Sequence, residues 1–170
     1  MARRAVFVIA QRNFQDQELL ETKRVLVERG LAVKVAAKTR DKALGQLGTE
    51  IEPDLALAEI EARDFDALIF IGGPGAAEYL VDEYSLRLIR DFRTAGKILG
   101  AICMAPLILA NAGVLIGKTV TAFPTQEQNL RDKGADYTGM QTEVDGKIVT
   151  AKDPTAAVEF GEKLAYLLEE

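Results

Sequence analysis

The fold is decided by one stretch near the start of the chain, AVFVIAQRNFQDQELLETKRVLVERGLAVKVA, residues 5–36. It opens with the continuous apolar run Ala5–Ala10, which is typical of a strand buried on both faces of a sheet. Apolar residues then recur at helical spacing over Asp16–Arg29, and Gly30 stands where a helix C-cap belongs. A second apolar run, Val33–Ala36, completes a strand–helix–strand unit. Such a unit predicts a parallel sheet with a right-handed crossover.

The same alternation of short apolar runs and helical periods continues to the end of the chain. The predicted elements are strands at Ala67–Ile71, Ile98–Ile102 and Lys118–Ala122, helices at Ser85–Ala95, Leu107–Ala112 and Gln126–Lys133, short edge hairpins within Lys38–Asp54, a hairpin of Gln141–Val144 and Lys147–Thr150 with a type I′ turn at Asp145-Gly146, and an amphipathic helix after Pro154. We therefore predict a single α/β domain over residues 1–170. Its architecture is a three-layer αβα sandwich, flavodoxin-like, with helices on both faces of a mostly parallel sheet.

Composition narrows the kinds of partner. The 170 residues include 21 Lys and Arg against 26 Asp and Glu, a net charge of −5, and 48% hydrophobic residues. The hydrophobic content argues against disorder, and the negative balance makes nucleic acid and anionic membranes unexpected partners. No stretch approaches the roughly 20 apolar residues of a membrane span, and the basic start is too short for a targeting signal. We expect a soluble, cytoplasmic protein.

Cysteine and histidine counts exclude several chemistries. The chain has one Cys and no His. Ser-His-Asp and Cys-His catalysis within the chain are therefore excluded, as are His-ligated zinc, internal disulfides and CxxC redox pairs. We predict neither a metal site nor a cofactor.

The lone cysteine, Cys103, directly follows the predicted strand Ile98–Ile102. Pro106, three residues later, suits the first turn of a helix. A strand that runs through a sharp turn into a helix is the arrangement of a nucleophile elbow, which exposes the side chain at the turn. Backbone N–H groups there would stabilise a thiolate and lower the pKa of Cys103. The alternative is that Cys103 is a small buried hydrophobe, the usual role of an unpaired cysteine.

A glycine-rich turn, Gly72–Gly75, follows the neighbouring predicted strand. Closely spaced backbone N–H groups can cradle an anion or face a reacting oxygen. The turn lacks the Lys-Ser/Thr pair of a P-loop and the spacing of a dinucleotide fingerprint. A tight strand-to-helix turn with no ligand is an equally good interpretation.

Several segments together resemble the ThiJ/PfpI superfamily, which contains the Parkinson-associated deglycase and the archaeal intracellular protease on a fold similar to class I glutamine amidotransferases. The matching segments are Gln15–Leu19, Asp66–Gly75, Gly100–Pro106, Asn111–Lys118, Thr121–Pro124, Asp145-Gly146 and Asp153-Pro154. The resemblance covers nearly the whole chain.

The resemblance implies a set of site residues. Cys103 matches the reactive cysteine, and Glu18 matches the glutamate that hydrogen-bonds it. The backbone donors facing the sulfur match Gly72, Gly73 and Met104.

Two further positions follow from the same resemblance as contacts of the pocket or of a neighbouring subunit, Glu78 and Pro154. Family members are dimers or larger rings, so the resemblance also implies a homo-oligomer, with a dimer as the simplest form.

The departures from the family pattern concern histidine. Protease-like members place His directly after the cysteine, where this chain has Met104. Deglycase-like members carry another His near the Thr121–Pro124 segment, where this chain has Ala122 and Phe123. Peptidase activity is therefore not expected.

Two functions remain open for a Cys–Glu pair without His. In the first, a Cys103 thiolate attacks a reactive aldehyde such as methylglyoxal while Glu18 shuttles protons, which is cofactor-free glyoxalase- or deglycase-like chemistry. In the second, the protein is a redox sensor or chaperone of the stress response, and Cys103 is oxidised to a sulfinic acid without significant turnover. Glu18 could also be no more than a favourable charge at a helix start, and an inert Cys103 would leave a structural relic.

Overall fold

The computed structural model describes residues 3–170. The strands of this region are β1 (Arg4–Val8), β2 (Arg12–Phe14), β3 (Ala32–Ala37), β4 (Ala43–Gly45), β5 (Glu50–Ile51), β6 (Leu55–Ala56), β7 (Ala67–Phe70), β8 (Ile98–Ile102), β9 (Thr119–Val120), β10 (Asp136–Tyr137), β11 (Thr142–Asp145) and β12 (Ile148–Ala151). The α-helices are α1 (Asp16–Glu28), α2 (Glu83–Thr94), α3 (Pro106–Asn111), α4 (Glu127–Asp132) and α5 (Ala157–Glu169). Short 3-10 helices cover Leu57–Glu59, Ala62–Asp64, Pro74–Tyr79, Pro124–Gln126 and Pro154–Ala156.

Seven strands form the central sheet in the order β11-β12-β8-β7-β1-β3-β6. All neighbours are parallel except the edge strand β11, which is antiparallel to β12. The predicted mostly parallel sheet is confirmed. Because β7 and β8 are adjacent and parallel, the turns that follow them lie side by side at the carboxyl edge of the sheet.

Each face of the sheet is covered by helices, as predicted. Along β1, Val6 and Val8 pack with the buried residues of α2, α3 and α4, whereas Ala5 and Phe7 pack with those of α1 and α5. This alternation follows from the two-residue period of a strand. On the α5 side, Gly100 gives the helix room, since a Cβ there would lie 3.1 Å from Leu164 Cδ2.

Two local predictions need correction. The strand expected at Lys118–Ala122 is the two-residue β9, which pairs with β10 outside the central sheet. The hairpin turn lies one residue later than predicted, because Asp145 pairs with Ile148 and leaves Gly146 and Lys147 as the turn. Gly146 has a φ of +61°, but Lys147 does not share the positive φ that a type I′ turn requires of both residues.

The Lys38–Asp54 region contains the expected edge hairpin, formed by β4 and β5. The pattern of residues did not predict the partner of this hairpin, the short strand β2, which pairs with β4 in a separate three-stranded sheet. This small sheet lies beside the start of α1. Asp16, at that start, accepts the backbone N–H groups of Leu47 and Thr49 at 2.8 and 2.9 Å.

Candidate active site

Cys103 directly follows β8 and adopts a strained backbone conformation. Its φ is +64°, a value that it shares with only one other non-glycine residue of the described chain, Asn13. Positive φ is disfavoured for residues with a Cβ and is concentrated at functional sites. The sharp elbow predicted from the sequence is therefore present. α3 begins at Pro106, as expected from its fixed φ.

Neighbouring backbone holds the elbow in place from both sides. The N–H of Cys103 donates to the Ala151 carbonyl at the end of β12, and its carbonyl accepts the N–H of Phe123, both at 2.9 Å. These bonds fix the backbone on the β12 side and on the loop side. Cys103 is only 6% exposed, so the prediction that the elbow exposes its side chain is wrong: the neighbouring segments cover the sulfur.

Glu18 approaches the elbow from α1. The helix is capped by Gln15, whose side chain accepts the Glu18 N–H at 2.8 Å, and the Gln15 N–H donates to the Gly72 carbonyl at 2.9 Å. The helix start is thereby docked on the glycine turn that follows β7. Glu18 is fully buried, so it is not a mere surface charge at a helix end.

The Glu18 carboxyl has one satisfied oxygen and one open oxygen. Oε1 accepts the N–H of Gly72 at 2.9 Å. Within residues 3–170, Oε2 has no hydrogen-bond partner, although the carboxyl lies close enough to the Cys103 thiol for each group to shift the pKa of the other. A buried carboxylate oxygen without a partner is costly, and protonation converts it into a donor.

Burial raises the pKa of both acidic groups. It raises the pKa of Glu18 to about 7, partly offset by the nearby Cys103 thiol and by the hydrogen bond from the Gly72 N–H, and the negative charge of Asp153 raises it further. Burial, together with the negative charge of Glu18, also raises the pKa of Cys103. The expectation of a lowered Cys103 pKa is therefore wrong, because the sequence does not reveal how deeply the sulfur is buried.

The two groups titrate as a pair that loses its first proton near neutral pH. The remaining proton is held either by the Cys103 sulfur or by Glu18. The reactive form is the one in which Glu18 carries the proton and Cys103 is a thiolate. A proton on Glu18 removes the like-charge repulsion and gives the sulfur a donor.

The backbone donors around the sulfur differ in part from the expected set. The N–H groups of Met104 and Gly73 lie near the Cys103 sulfur and oppose the rise in its pKa. The N–H of Gly72 donates to Glu18 instead, which corrects the role expected for that residue. Gly73 has a φ of +101°, and a Cβ there would lie 2.6 Å from the Gln15 nitrogen.

The two residues predicted as pocket or subunit contacts, Glu78 and Pro154, lie in different 3-10 helices. Glu78 is exposed in the 3-10 helix after the glycine turn, where it accepts the Gln11 N–H at 3.0 Å. Pro154 is half-buried and begins the turn that leads into α5. Its neighbour Asp153, which the sequence did not single out, brings a second carboxylate toward Glu18.

Gln126 is another residue that sequence analysis did not identify. It ends the 3-10 helix Pro124–Gln126, is 7% exposed, and donates from Nε2 to Met104 Sδ at 3.4 Å. A lone Gln in a polar segment carries no sequence signal that would reveal its burial.

The described part of the chain offers neither a cluster of metal ligands nor a membrane-spanning helix. Among residues 3–170, no three or more His, Cys, Asp or Glu side chains are grouped so that they could hold a metal ion. No helix in the same region is long and apolar enough to cross a bilayer.

The pKa of Glu18 leads to a prediction about stability. Because folding raises this pKa from about 4.5 to about 7, the stabilisation from protonated Glu18 is complete at acidic pH and is lost as the pH rises through about 7. The glutamine of Glu18→Gln does not titrate, so its stability lacks this pH dependence. We expect the unfolding free energy of wild type to fall by about 3 kcal/mol relative to that of Glu18→Gln between acidic and mildly alkaline pH. Urea unfolding over that range measures this difference. Parallel curves for the two proteins would contradict the raised pKa.

The fold and the site define an α/β protein with a cysteine at a nucleophile elbow and a buried carboxyl beside it. Residues 3–167 match the family model described as the DJ-1/PfpI family. The chain belongs to this family.

Individual relatives agree with that assignment. A deglycase of Pyrococcus abyssi is 31% identical over 149 residues, covering 88% of this chain and 90% of that protein. A glutathione-independent glyoxalase of Caenorhabditis elegans is 28% identical over 165 residues, covering 97% and 88%. The crystal structure of a ThiJ/PfpI domain protein from Brachyspira murdochii superposes with a TM-score of 0.96 at 31% identity, covering 99% of this chain and 97% of that one.

Proposed function

We propose that the protein is a cofactor-free glyoxalase- or deglycase-like enzyme that acts on small reactive aldehydes through Cys103 and Glu18. The observation that carries the proposal is the buried Glu18 carboxyl, which has one oxygen fixed by Gly72 and the other unpartnered among the described residues, beside the Cys103 thiol. A carboxyl with a pKa near neutrality can both donate and accept protons at physiological pH. Relatives named deglycase and glyoxalase support the same chemistry.

The proposed reaction with methylglyoxal needs no external oxidant. The Cys103 thiolate attacks the aldehyde carbon, and protonated Glu18 gives its proton to the aldehyde oxygen, forming a hemithioacetal. The Glu18 carboxylate then takes the proton from that carbon and returns it to the neighbouring carbon, while the proton of the hemithioacetal hydroxyl moves to the ketone oxygen. The first carbon is oxidised to a thioester while the ketone is reduced to an alcohol. Water hydrolyses the thioester, which releases lactate and restores the thiol.

The backbone around the sulfur supports the first step. When the thiolate attacks, negative charge moves from the sulfur to the aldehyde oxygen. The N–H groups of Gly73 and Met104 already face the sulfur and are fixed before the substrate arrives. Donors at this place favour the thiolate form of Cys103, from which the attack starts.

Lactate formation tests the proposal. Purified protein is incubated with methylglyoxal in buffer without glutathione and with a chelator, and lactate is measured enzymatically. We expect lactate to form at a rate proportional to protein concentration. Absence of lactate above the rate of the buffer alone would reject the enzymatic proposal.

A redox role is the second candidate, and the same open carboxyl oxygen favours it. Peroxide would oxidise the thiolate to a sulfenic acid with loss of hydroxide, and a second peroxide would give the sulfinic acid with release of water. Since Cys103 is the only cysteine, the sulfenic acid cannot form an internal disulfide. A protonated Glu18 and the Gly73 N–H would hydrogen-bond the sulfinate oxygens.

Mild peroxide treatment is expected to add two oxygen atoms to Cys103. Intact mass and peptide mapping measure the addition and separate it from oxidation of methionine, for which the 60% exposed Met140 serves as an internal standard. In Glu18→Leu, oxidation of Cys103 should not reach the sulfinic acid, because the sulfinate loses its carboxyl hydrogen-bond donor. Oxygen found on methionine alone would mean that Cys103 is an inert, structural thiol.

The remaining parts of the proposal rest on the family. The chain has no His to serve as a general base, so we do not propose peptidase activity. We propose that copies of the chain associate in the cytoplasm, with a dimer as the simplest form, which sedimentation equilibrium would test.

A further inference from the structure

Gln126 is a buried polar residue with unused hydrogen-bonding capacity. Its Nε2 has two poor acceptors, Met104 Sδ at 3.4 Å and Thr125 Oγ1 at 3.5 Å, which is the limit of a hydrogen bond. Its Oε1 is buried and has no partner in the part of the chain that the structure describes. Thioether sulfur is a weak acceptor, so both ends of the amide are poorly satisfied.

An amide in this state is a cost to the fold. Leaving a buried donor or acceptor unpaired costs about 1–3 kcal/mol, whereas an apolar side chain of similar size would avoid this cost. Packing alone therefore does not account for a Gln at this position. Ligand sites commonly contain a few such polar groups, which are satisfied when the ligand binds.

The position of Gln126 connects it to the elbow. The Gln126 N–H donates to the Phe123 carbonyl at 2.8 Å, and the Phe123 N–H donates to the Cys103 carbonyl at 2.9 Å. The amide of Gln126 contacts the side chain of Met104, whose backbone N–H faces the Cys103 sulfur. Gln126 thus lies in the segment that closes the Met104 side of the site, while Glu18 approaches from α1.

Building on the proposed function, we infer that Gln126 is a specificity-determining contact that selects small 2-oxoaldehydes. When Cys103 adds to such an aldehyde, the hemithioacetal carries a hydroxyl on one carbon and a carbonyl oxygen on the next. This donor and acceptor match the two ends of the amide. Nε2 then donates its hydrogen bond to the carbonyl oxygen of the adduct instead of to the Met104 sulfur. Oε1 accepts a hydrogen bond from the adduct hydroxyl. A simple aldehyde offers the hydroxyl only.

Protection of Cys103 against iodoacetamide tests this inference without requiring turnover. The rate of alkylation is measured at increasing methylglyoxal and, separately, at increasing propanal, which has three carbons but no second carbonyl. The proteins compared are wild type, Gln126→Leu and the matched control Gln128→Leu, which changes an exposed Gln on α4. Gln126→Met is a second variant of similar volume in case the leucine protein folds poorly.

We expect Gln126→Leu to need at least about tenfold more methylglyoxal for half-protection, the effect of one hydrogen bond. Propanal protection should weaken by a smaller factor, because the propanal adduct loses only the hydroxyl contact. The melting temperature should not fall, because an unsatisfied amide has been removed. Gln128→Leu should behave as wild type.

Three results would overturn the inference. If methylglyoxal protects Cys103 equally in wild type and Gln126→Leu, Gln126 does not contact the adduct, and the proposed function is unaffected. An equal loss for both aldehydes together with a lower melting temperature would mean that Gln126 only supports the fold. Failure of methylglyoxal to protect wild-type Cys103 would reject both this inference and the proposed function.

Discussion

Replacing Cys103 by serine is expected to lower lactate formation from methylglyoxal by at least about 10³-fold, or about 4 kcal/mol of transition-state stabilisation. The reason is that a thiolate is a far stronger nucleophile than a neutral hydroxyl, and Cys103 carries the only thiol of the chain. Glu18, which lies beside the thiol, can act as the base that accepts its proton when the sulfur attacks. A serine hydroxyl is far less acidic, and the chain has no His to activate it.

Two controls make the Cys103→Ser result interpretable. The substitution is nearly isosteric, so the melting temperature and the circular dichroism spectrum should match those of wild type. Cys103→Ala should be as inactive as Cys103→Ser, since neither offers a thiolate. Lactate formation by the serine protein at more than a tenth of the wild-type rate would exclude Cys103 as the nucleophile.

Replacing Gly72 by alanine is expected to destabilise the fold by about 3 kcal/mol or more and to abolish activity. A Cβ at this position would lie 2.6 Å from Glu18 Oε1, 2.6 Å from the Ile102 carbonyl oxygen and 2.8 Å from the Cys103 Cβ. Two of these atoms belong to the backbone or to the elbow and cannot move freely. The steric clash would move the Glu18 carboxyl away from the Cys103 thiol, and the proposed reaction needs the two groups in contact.

Gly113→Ala is the matched control for Gly72→Ala. Gly113 has a φ of +84°, and a Cβ there would meet nothing within 4 Å. Its substitution should cost only the strain of a left-handed residue, about 1 kcal/mol, and should leave activity unchanged. Chemical denaturation and lactate formation measure both proteins. Equal destabilisation by the two substitutions would show that the crowding at Gly72 is relieved by relaxation.

Local sequence features were sufficient to predict most of the fold. The continuous apolar runs produced β1, β7 and β8, because strands buried on both faces need no polar alternation. The strand-to-helix turn at Cys103 could also be predicted, since a strand end followed by Pro106 indicates the start of a helix. The small sheet formed by β2, β4 and β5 was only partly foreseen, because its strands are too short to impose a period.

By itself, the sequence determined the order of the elements, the parallel sheet and the place of Cys103 at a strand end, all of which follow from residues close together in the chain. Only the tertiary structure decided how Glu18, Gly72 and Gln126 surround the elbow. It also decided that burial raises the pKa values of Cys103 and Glu18. The physical reason is that pKa values and hydrogen-bond partners depend on which distant segments exclude water from a group. Here that exclusion is achieved where the start of α1 docks on the glycine turn beside the cysteine.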